Sequence, residues 1–78
     1  MTIGKFVEEY IFKPANRNQA AIISVDLLLQ LYFERVCGRT PDYWRDRREL
    51  ERKLELKGIR RCGKYRYKVD EGAILSLL

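Results

Sequence analysis

The chain has 78 residues, of which 46% are hydrophobic, and a net charge of +5 at pH 7. This length predicts a single domain spanning residues 1–78, near the lower size limit for folding without disulfides or metals. No apolar run approaches the roughly 20 residues that a membrane span needs, and the N-terminus lacks a signal peptide's layout, so we expect a cytoplasmic protein. Cys37 and Cys62 lie far apart without a CxxC motif, and the chain has no histidine. A disulfide framework, a metal site and a cofactor are therefore not expected.

Basic residues are concentrated in one part of the chain. Residues 1–38 hold four basic and four acidic side chains, whereas residues 39–68 hold twelve basic and five acidic ones. Charge segregated in this way is typical of a protein that binds a polyanion. A surface that is charged only for solubility usually mixes both signs along its length.

The first half of the chain predicts a helix, a short strand and a second helix. Thr2 is a suitable N-cap for a helix over residues 3–13, whose apolar positions follow helical spacing: Ile3, Phe6, Val7, Tyr10 and Ile11. A proline and polar residues then predict a loop, and the apolar run 21–23 predicts a strand. Ser24 is the expected N-cap of a helix over residues 25–37, which is apolar on almost every side, as in the buried centre of a small bundle.

The next helix has clear start and stop signals. Gly38 is expected to end the preceding helix, and Thr40-Pro41-Asp42 indicates a cap, a proline at the first helical position and an acid in the first turn. These signals predict a helix over residues 41–57, which Gly58 closes.

Helical spacing divides this third helix into two faces. One is predicted to point into the core and carries Tyr43, Leu50 and Leu54, with Arg47 at its edge. Trp44 lies between the faces and is predicted to be a residue at the rim of the core. The opposite face is basic and carries Arg45, Arg48 and Arg52.

From residue 59 the period of apolar residues changes to two, which predicts a β-hairpin over residues 59–69 with its turn at Cys62-Gly63. One face of it is mostly aromatic and aliphatic: Ile59, Arg61, Tyr65, Tyr67 and Val69. The other is almost wholly basic: Arg60, Cys62, Lys64, Arg66 and Lys68. Residues 70–78 predict a terminal segment that forms a short final helix capped by Asp70.

This order of elements predicts an α+β fold of the winged-helix type. The short strand is expected to pair with the hairpin, because an isolated two-stranded ribbon is only marginally stable. The helix over residues 41–57 then occupies the position of the recognition helix, and the hairpin over residues 59–69 forms the wing.

Three segments resemble the C-terminal winged-helix domain of phage- and plasmid-borne primase–helicases, a group related to poxvirus helicases. They are FVEEYIF (6–12), ISVDLLLQLYFERVCGR (23–39) and RRELERKLELKGIRRCGKYRYKV (47–69). Their shared features are a leucine- and aromatic-rich helix followed by glycine, then a basic helix and a basic hairpin. This chain departs from the family's setting because it has no primase and no GxxxxGK[ST] phosphate loop. The resemblance implies nucleic-acid binding beside a replication machinery on a mobile genetic element.

Eight cations are the candidate nucleic-acid-binding residues: Arg45, Arg48, Arg52, Arg60, Arg61, Lys64, Arg66 and Lys68. The hairpin cations are expected to contact phosphates, and the helix arginines to contact either phosphates or guanine edges in a major groove. Two alternatives stay open. Basic residues on an edge strand prevent aggregation, and arginines on a helix form ion pairs with nearby glutamates.

Tyr65 and Tyr67 either stack on bases of single-stranded nucleic acid or form the core-facing side of the hairpin. No catalytic residue is predicted, because the chain has no histidine and no base beside either cysteine. The function predicted first is binding of DNA, duplex or single-stranded. The alternatives are a small transcriptional regulator and a winged helix that docks on a replication or regulatory protein.

Overall fold

The computed structural model describes residues 1–12 and 20–77. Its first helix, α1, spans Ile3–Phe6 and continues directly into a π-helical segment, Val7–Phe12. The hydroxyl of Thr2 caps α1 by accepting a hydrogen bond from the amide of Lys5 at 3.2 Å. The prediction of one α-helix over residues 3–13 is wrong over Val7–Phe12, where the hydrogen bonds take the wider i→i+5 spacing, and residue 13 lies outside the described residues. The predicted apolar stripe is confirmed, and the loop predicted from Pro14 lies outside the described residues.

The predicted strand and second helix are confirmed, with shifted ends. Strand β1 spans Ala20–Ser24 and helix α2 spans Val25–Arg35. The side chain of Ser24 caps α2 by accepting a hydrogen bond from the amide of Leu27 at 3.1 Å. The helix ends two residues before the predicted end because Val36, with φ of −138°, leaves the helical conformation.

Helix α3 spans Tyr43–Leu56. The predicted start at Pro41 is wrong, because the N-cap is Asp42, whose carboxylate accepts a hydrogen bond from the amide of Arg45 at 3.3 Å. The predicted end is confirmed. Gly58 has φ of +73° and donates to the carbonyl of Glu55 at 3.0 Å, and Ile59 donates to the carbonyl of Leu54 at 3.0 Å. This pair of bonds is a Schellman motif, which satisfies the last carbonyls of the helix.

Strand β2, Arg66–Asp70, pairs antiparallel with β1 in a register that runs from Ala20 opposite Asp70 to Ser24 opposite Arg66. This confirms that the short strand pairs with the returning arm of the hairpin. The first arm is less regular than predicted, since its only bridge in the described residues joins Arg61 to Tyr67. The amide of Cys62 donates to the carbonyl of Arg66 at 2.9 Å, and that of Lys68 to the carbonyl of Arg60 at 2.8 Å.

The turn of the hairpin therefore comprises residues 63–65 rather than the predicted Cys62-Gly63. Gly63 enters it with φ of +130°, a conformation that side chains rarely allow. Tyr65 lies in the turn, so strict alternation no longer places it on the core face, and 49% of its surface is exposed. Its carbonyl accepts a hydrogen bond from the amide of Val25 at 2.8 Å, which fixes the turn to the start of α2.

Helix α4, Glu71–Leu77, follows β2 and confirms the predicted short final helix. Its Ile74 and Leu77 are buried in a core shared with α1, α2, α3 and β2. The described residues thus form a small α+β structure with four α-helices and a two-stranded antiparallel sheet, which confirms the predicted class. Among residues 1–12 and 20–77, no helix combines the length and apolar composition of a membrane span.

Candidate nucleic-acid interface

The three arginines on the outer face of α3 lie together but differ in their partners. With Glu49 they line one surface depression, as helical spacing predicts. Arg45 lies 3.6 Å from a carboxylate oxygen of Asp46, and Arg52 donates to both oxygens of Glu49 at 3.1 Å. Arg48 is exposed and forms no ion pair within the described part of the chain. It is therefore the arginine of α3 whose charge is most available to a ligand.

The hairpin separates its cations onto two sides. The pairing of β1, β2 and the first arm places Arg60, Arg66 and Lys68 on the solvent face of the sheet, and all three are exposed. Lys64 is exposed in the turn, where its ammonium lies 5.5 Å from the ring centroid of Tyr65. These four cations form no ion pair with a carboxylate of residues 1–12 or 20–77.

Arg61 is held by groups of the protein itself. Its guanidinium lies 3.4 Å from Glu55 and 3.9 Å from Glu51 on α3, and it donates to the hydroxyl of Tyr67 at 3.4 Å. The hydrogen bond to Tyr67 is the largest cause that raises the pKa of Arg61 above its usual value. Arg61 thus braces the hairpin against α3, although the sequence placed it among the phosphate-binding residues.

Arg47 connects α2, α3 and the turn, a role that the sequence did not reveal. Its guanidinium donates to Asp26 at 2.8 Å and to Glu51 at 3.4 Å, and it lies 4.8 Å from the ring centroid of Tyr65. Burial lowers the pKa of Arg47, but its hydrogen bond to Tyr43 and the charge of Asp26 outweigh this, so the pKa is raised. The arginine therefore stays charged and holds the turn beside the outer face of α3. One feature of the sequence indicated such a role: Arg47 was predicted at the edge of the core face, and a half-buried charge needs partners.

The helix and the turn form one continuous surface. The depression on α3 shares Arg48 with a second depression, which reaches the turn at Tyr65. The second shares Tyr65 with a third, which is lined by Lys64 and Arg66. Asp26, Glu49 and Glu51 also line this surface. We call the following subset of its residues the basic strip: Arg45, Arg48, Arg52, Tyr65, Lys64 and Arg66.

Two aromatic predictions are wrong, and one alternative is now decided. Trp44 is not at the rim of the core, because 67% of its surface is exposed. Tyr43, predicted to face inward, is 39% exposed, and its hydroxyl donates to Asp26 at the surface. Tyr67 is fully buried, so it is a core residue and cannot stack on a base.

The cysteine, aspartate and glutamate side chains of the described residues form no group of three or more that could hold a metal ion. Both cysteines are free, with Cys37 buried and Cys62 half-buried.

Comparison with known proteins does not identify a family for this chain, since no family model, no curated protein and no solved structure matches it.

Proposed function

We propose that this protein is a DNA-binding module of the winged-helix type. The order of its elements supports this, since a helix and β1 precede two packed helices, α2 and α3, and a hairpin follows. Pairing of β1 with β2 joins the hairpin to the helices, as expected for a wing. In this arrangement α3 is the recognition helix, and its basic outer face lies beside the turn of the wing.

The observation that carries the proposal is a set of five exposed cations without a carboxylate partner in the described residues: Arg48, Arg60, Lys64, Arg66 and Lys68. A cation beside a carboxylate is already largely neutralised, whereas these five keep their charge available for phosphates. Contacts of this kind release counterions from DNA and supply affinity with little sequence preference.

The other three candidate nucleic-acid-binding residues are expected to contribute less to DNA affinity. Arg45, Arg52 and Arg61 each lie within 4 Å of a carboxylate, so a phosphate must compete with an intramolecular partner. Exposed ion pairs contribute only about 0–1 kcal/mol, which makes such an exchange feasible at low cost. We therefore assign these arginines a supporting role in binding.

The biological setting rests on the resemblance to the winged-helix domain of primase–helicases. It favours a role in replication of a mobile genetic element, beside other replication proteins. The basic strip itself is equally compatible with transcriptional control, since both roles use the same phosphate contacts.

A salt titration tests the proposal. We expect a fluorescently labelled duplex to bind with a log–log dependence of affinity on salt of about −4 to −5, as four to six phosphate contacts require. The triple variant Arg48→Ala, Lys64→Ala, Arg66→Ala should have a slope shallower by about 3, because each lost phosphate contact removes about 0.9. Fluorescence anisotropy between about 50 and 200 mM salt measures both quantities.

A matched pair of single variants separates local contacts from net charge. Lys64→Ala and Lys5→Ala each remove one exposed lysine, but Lys5 lies on α1 and lines none of the three depressions. Only Lys64→Ala should weaken binding and reduce the slope. A flat slope for the wild type, or no binding at about 50 mM salt, would reject DNA binding and favour a protein-docking domain.

A further inference from the structure

The depression between α3 and the turn differs from the rest of the basic strip in its charge. It has a volume of about 470 Å³ and is lined by Asp26, Trp44, Arg47, Arg48, Glu51 and Tyr65. Two carboxylates and two guanidiniums balance each other there, and Arg47 forms ion pairs with both carboxylates. A phosphate would meet two negative charges and gain little, whereas a flat neutral group with polar edges would meet no net charge.

The walls of this depression include two exposed aromatic rings. Trp44 is 67% exposed and Tyr65 is 49% exposed. The ring of Trp44 packs edge-on against Tyr43, with centroids 4.9 Å apart and planes at 89°. Tyr43 in turn donates to Asp26 and accepts from Arg47 at 2.6 Å. A large aromatic ring is therefore held in a defined position while most of its surface faces solvent.

We propose that this depression receives an unpaired nucleobase, stacked on Trp44. The substrate class would then be DNA that contains a junction between duplex and single strand. This inference rests on the proposed DNA-binding function and adds to it the form of the DNA. Inside a duplex the faces of each base are covered by its neighbours, so stacking on a protein ring requires a base that has left the stack.

The positions of the neighbouring cations agree with this substrate. Arg48 lies one helical turn after Trp44, on the same face of α3, and belongs to both the near-neutral depression and the arginine row. Lys64 and Arg66 lie on the other side of Tyr65. Phosphates on either side of the extruded base would thus meet cations, while the base itself occupies the near-neutral space between them.

Three DNA ligands of one sequence test the inference: a blunt duplex, the same duplex with a short single-stranded extension, and the separated strand. Stacking of one base should make the extended duplex bind at least about fivefold more tightly than the blunt one. Trp44 is the only tryptophan in the chain, so its fluorescence reports directly on the site. We expect the extended duplex, and not the blunt one, to quench it at saturation.

Variants then assign the preference to the ring. Trp44→Ala should bring the ratio of the affinities for the extended and the blunt duplex close to 1. Trp44→Phe should retain part of the preference for the extended duplex. Leu56→Ala is the matched control, because Leu56 is 69% exposed on α3 and lines none of the three depressions. It should keep the full ratio. Circular dichroism of each variant verifies that the helices are intact.

The outcomes distinguish this inference from the proposed function. If both duplexes bind equally with a steep salt dependence, the junction proposal is overturned and DNA binding stands. The same holds if the extended duplex binds with a steep salt dependence but leaves Trp44 fluorescence unchanged. If none of the three ligands binds with a measurable salt dependence, both proposals fail. A preference that survives in Trp44→Ala would also overturn the role of the ring.

Discussion

Asp46 is the one charged side chain that is buried among residues 1–12 and 20–77, with 2% of its surface exposed. Arg39 donates to its two oxygens at 2.8 and 3.1 Å, and the amide of Asp42 donates to it at 3.2 Å. Burial raises the pKa of Asp46, but the hydrogen bonds from Arg39 and from the amide of Asp42 outweigh this and lower it. Arg39 also donates to the hydroxyl of Tyr32 at 3.3 Å, which extends this polar cluster to α2. Asp46 thus serves the fold, and its 3.6 Å contact with Arg45 also offsets the charge of one cation of the basic strip.

At the residue scale we predict a pH dependence that comes from this carboxylate. Its pKa is lower in the folded than in the unfolded chain, so the unfolded chain takes up the proton first as pH falls. The stabilisation is therefore complete above the unfolded pKa of about 4 and is lost as pH falls through the folded pKa. Asp46→Asn should lower the free energy of unfolding at neutral pH by about 1–3 kcal/mol and make it less dependent on pH in the acid range.

Urea unfolding at neutral pH and near pH 3 measures this difference. Glu9→Gln is the control, because Glu9 is exposed and forms no ion pair within the described residues. It should leave both the stability and its pH dependence close to those of the wild type. Equal loss of stability on acidification in the wild type and in Asp46→Asn would contradict the prediction.

At the scale of elements, the end of α3 sets the position of the hairpin. Gly58 holds a left-handed conformation with φ of +73°, and the two hydrogen bonds of the Schellman motif turn the chain toward Ile59. Ile59 packs against the core, and the first arm of the hairpin follows it directly. The angle between α3 and the hairpin, and with it the continuity of the basic strip, depends on this turn.

Gly58→Ala tests the role of this conformation. A Cβ added there would meet nothing within 4 Å, so the cost comes only from the backbone and should be about 1–2 kcal/mol of unfolding free energy. Gly4→Ala is the matched control. Its Cβ would lie 3.3 Å from the flexible end of Lys53, and its φ is not positive, so we expect no loss of stability. Thermal unfolding of the two variants measures this difference. If Gly58→Ala were as stable as the wild type, the left-handed turn would not be needed for stability.

At the scale of the whole molecule, the distribution of acids decides which cations remain available. The acids of α3 neutralise part of its basic face, since Glu49 binds Arg52 and lies 3.8 Å from Lys53. The hairpin has no acid between residues 59 and 69, so its outer cations keep their charge. The electrostatic field of the strip is therefore strongest at the hairpin and weaker along α3.

Glu49→Gln should increase DNA affinity and make the salt slope steeper by up to about 0.9, because Arg52 gains freedom to contact a phosphate. Glu34→Gln raises the net charge by the same amount, but Glu34 lies on α2, hydrogen-bonded to Gln30 at 3.2 Å. If affinity follows local contacts, only Glu49→Gln should change the slope. Equal effects of the two variants, measured by anisotropy, would mean that the overall charge governs binding.

Much of the fold could be predicted from the sequence because the signals are local. Ser24 as a cap, Gly58 as a helix end and the apolar stripe of the first helix depend on neighbours within a few residues. The alternation over residues 66–69 likewise follows from the geometry of a single strand, with Tyr67 and Val69 buried and the cations between them exposed. The grouping of the arginines on one side of α3 required only the angle between successive residues.

The tertiary structure decided which basic side chains form ion pairs within the protein and where the aromatic rings lie. Arg61 is braced by glutamates from another element, and Arg47 joins three elements at once, neither of which sequence spacing can reveal. The exposure of Trp44 depends on how α3 is rotated against its neighbours, and the turn at residues 63–65 depends on how the first arm of the hairpin pairs with β2. Caps and periodicity arise from covalent neighbours, whereas ion pairs and exposure arise from partners that only folding brings within contact distance.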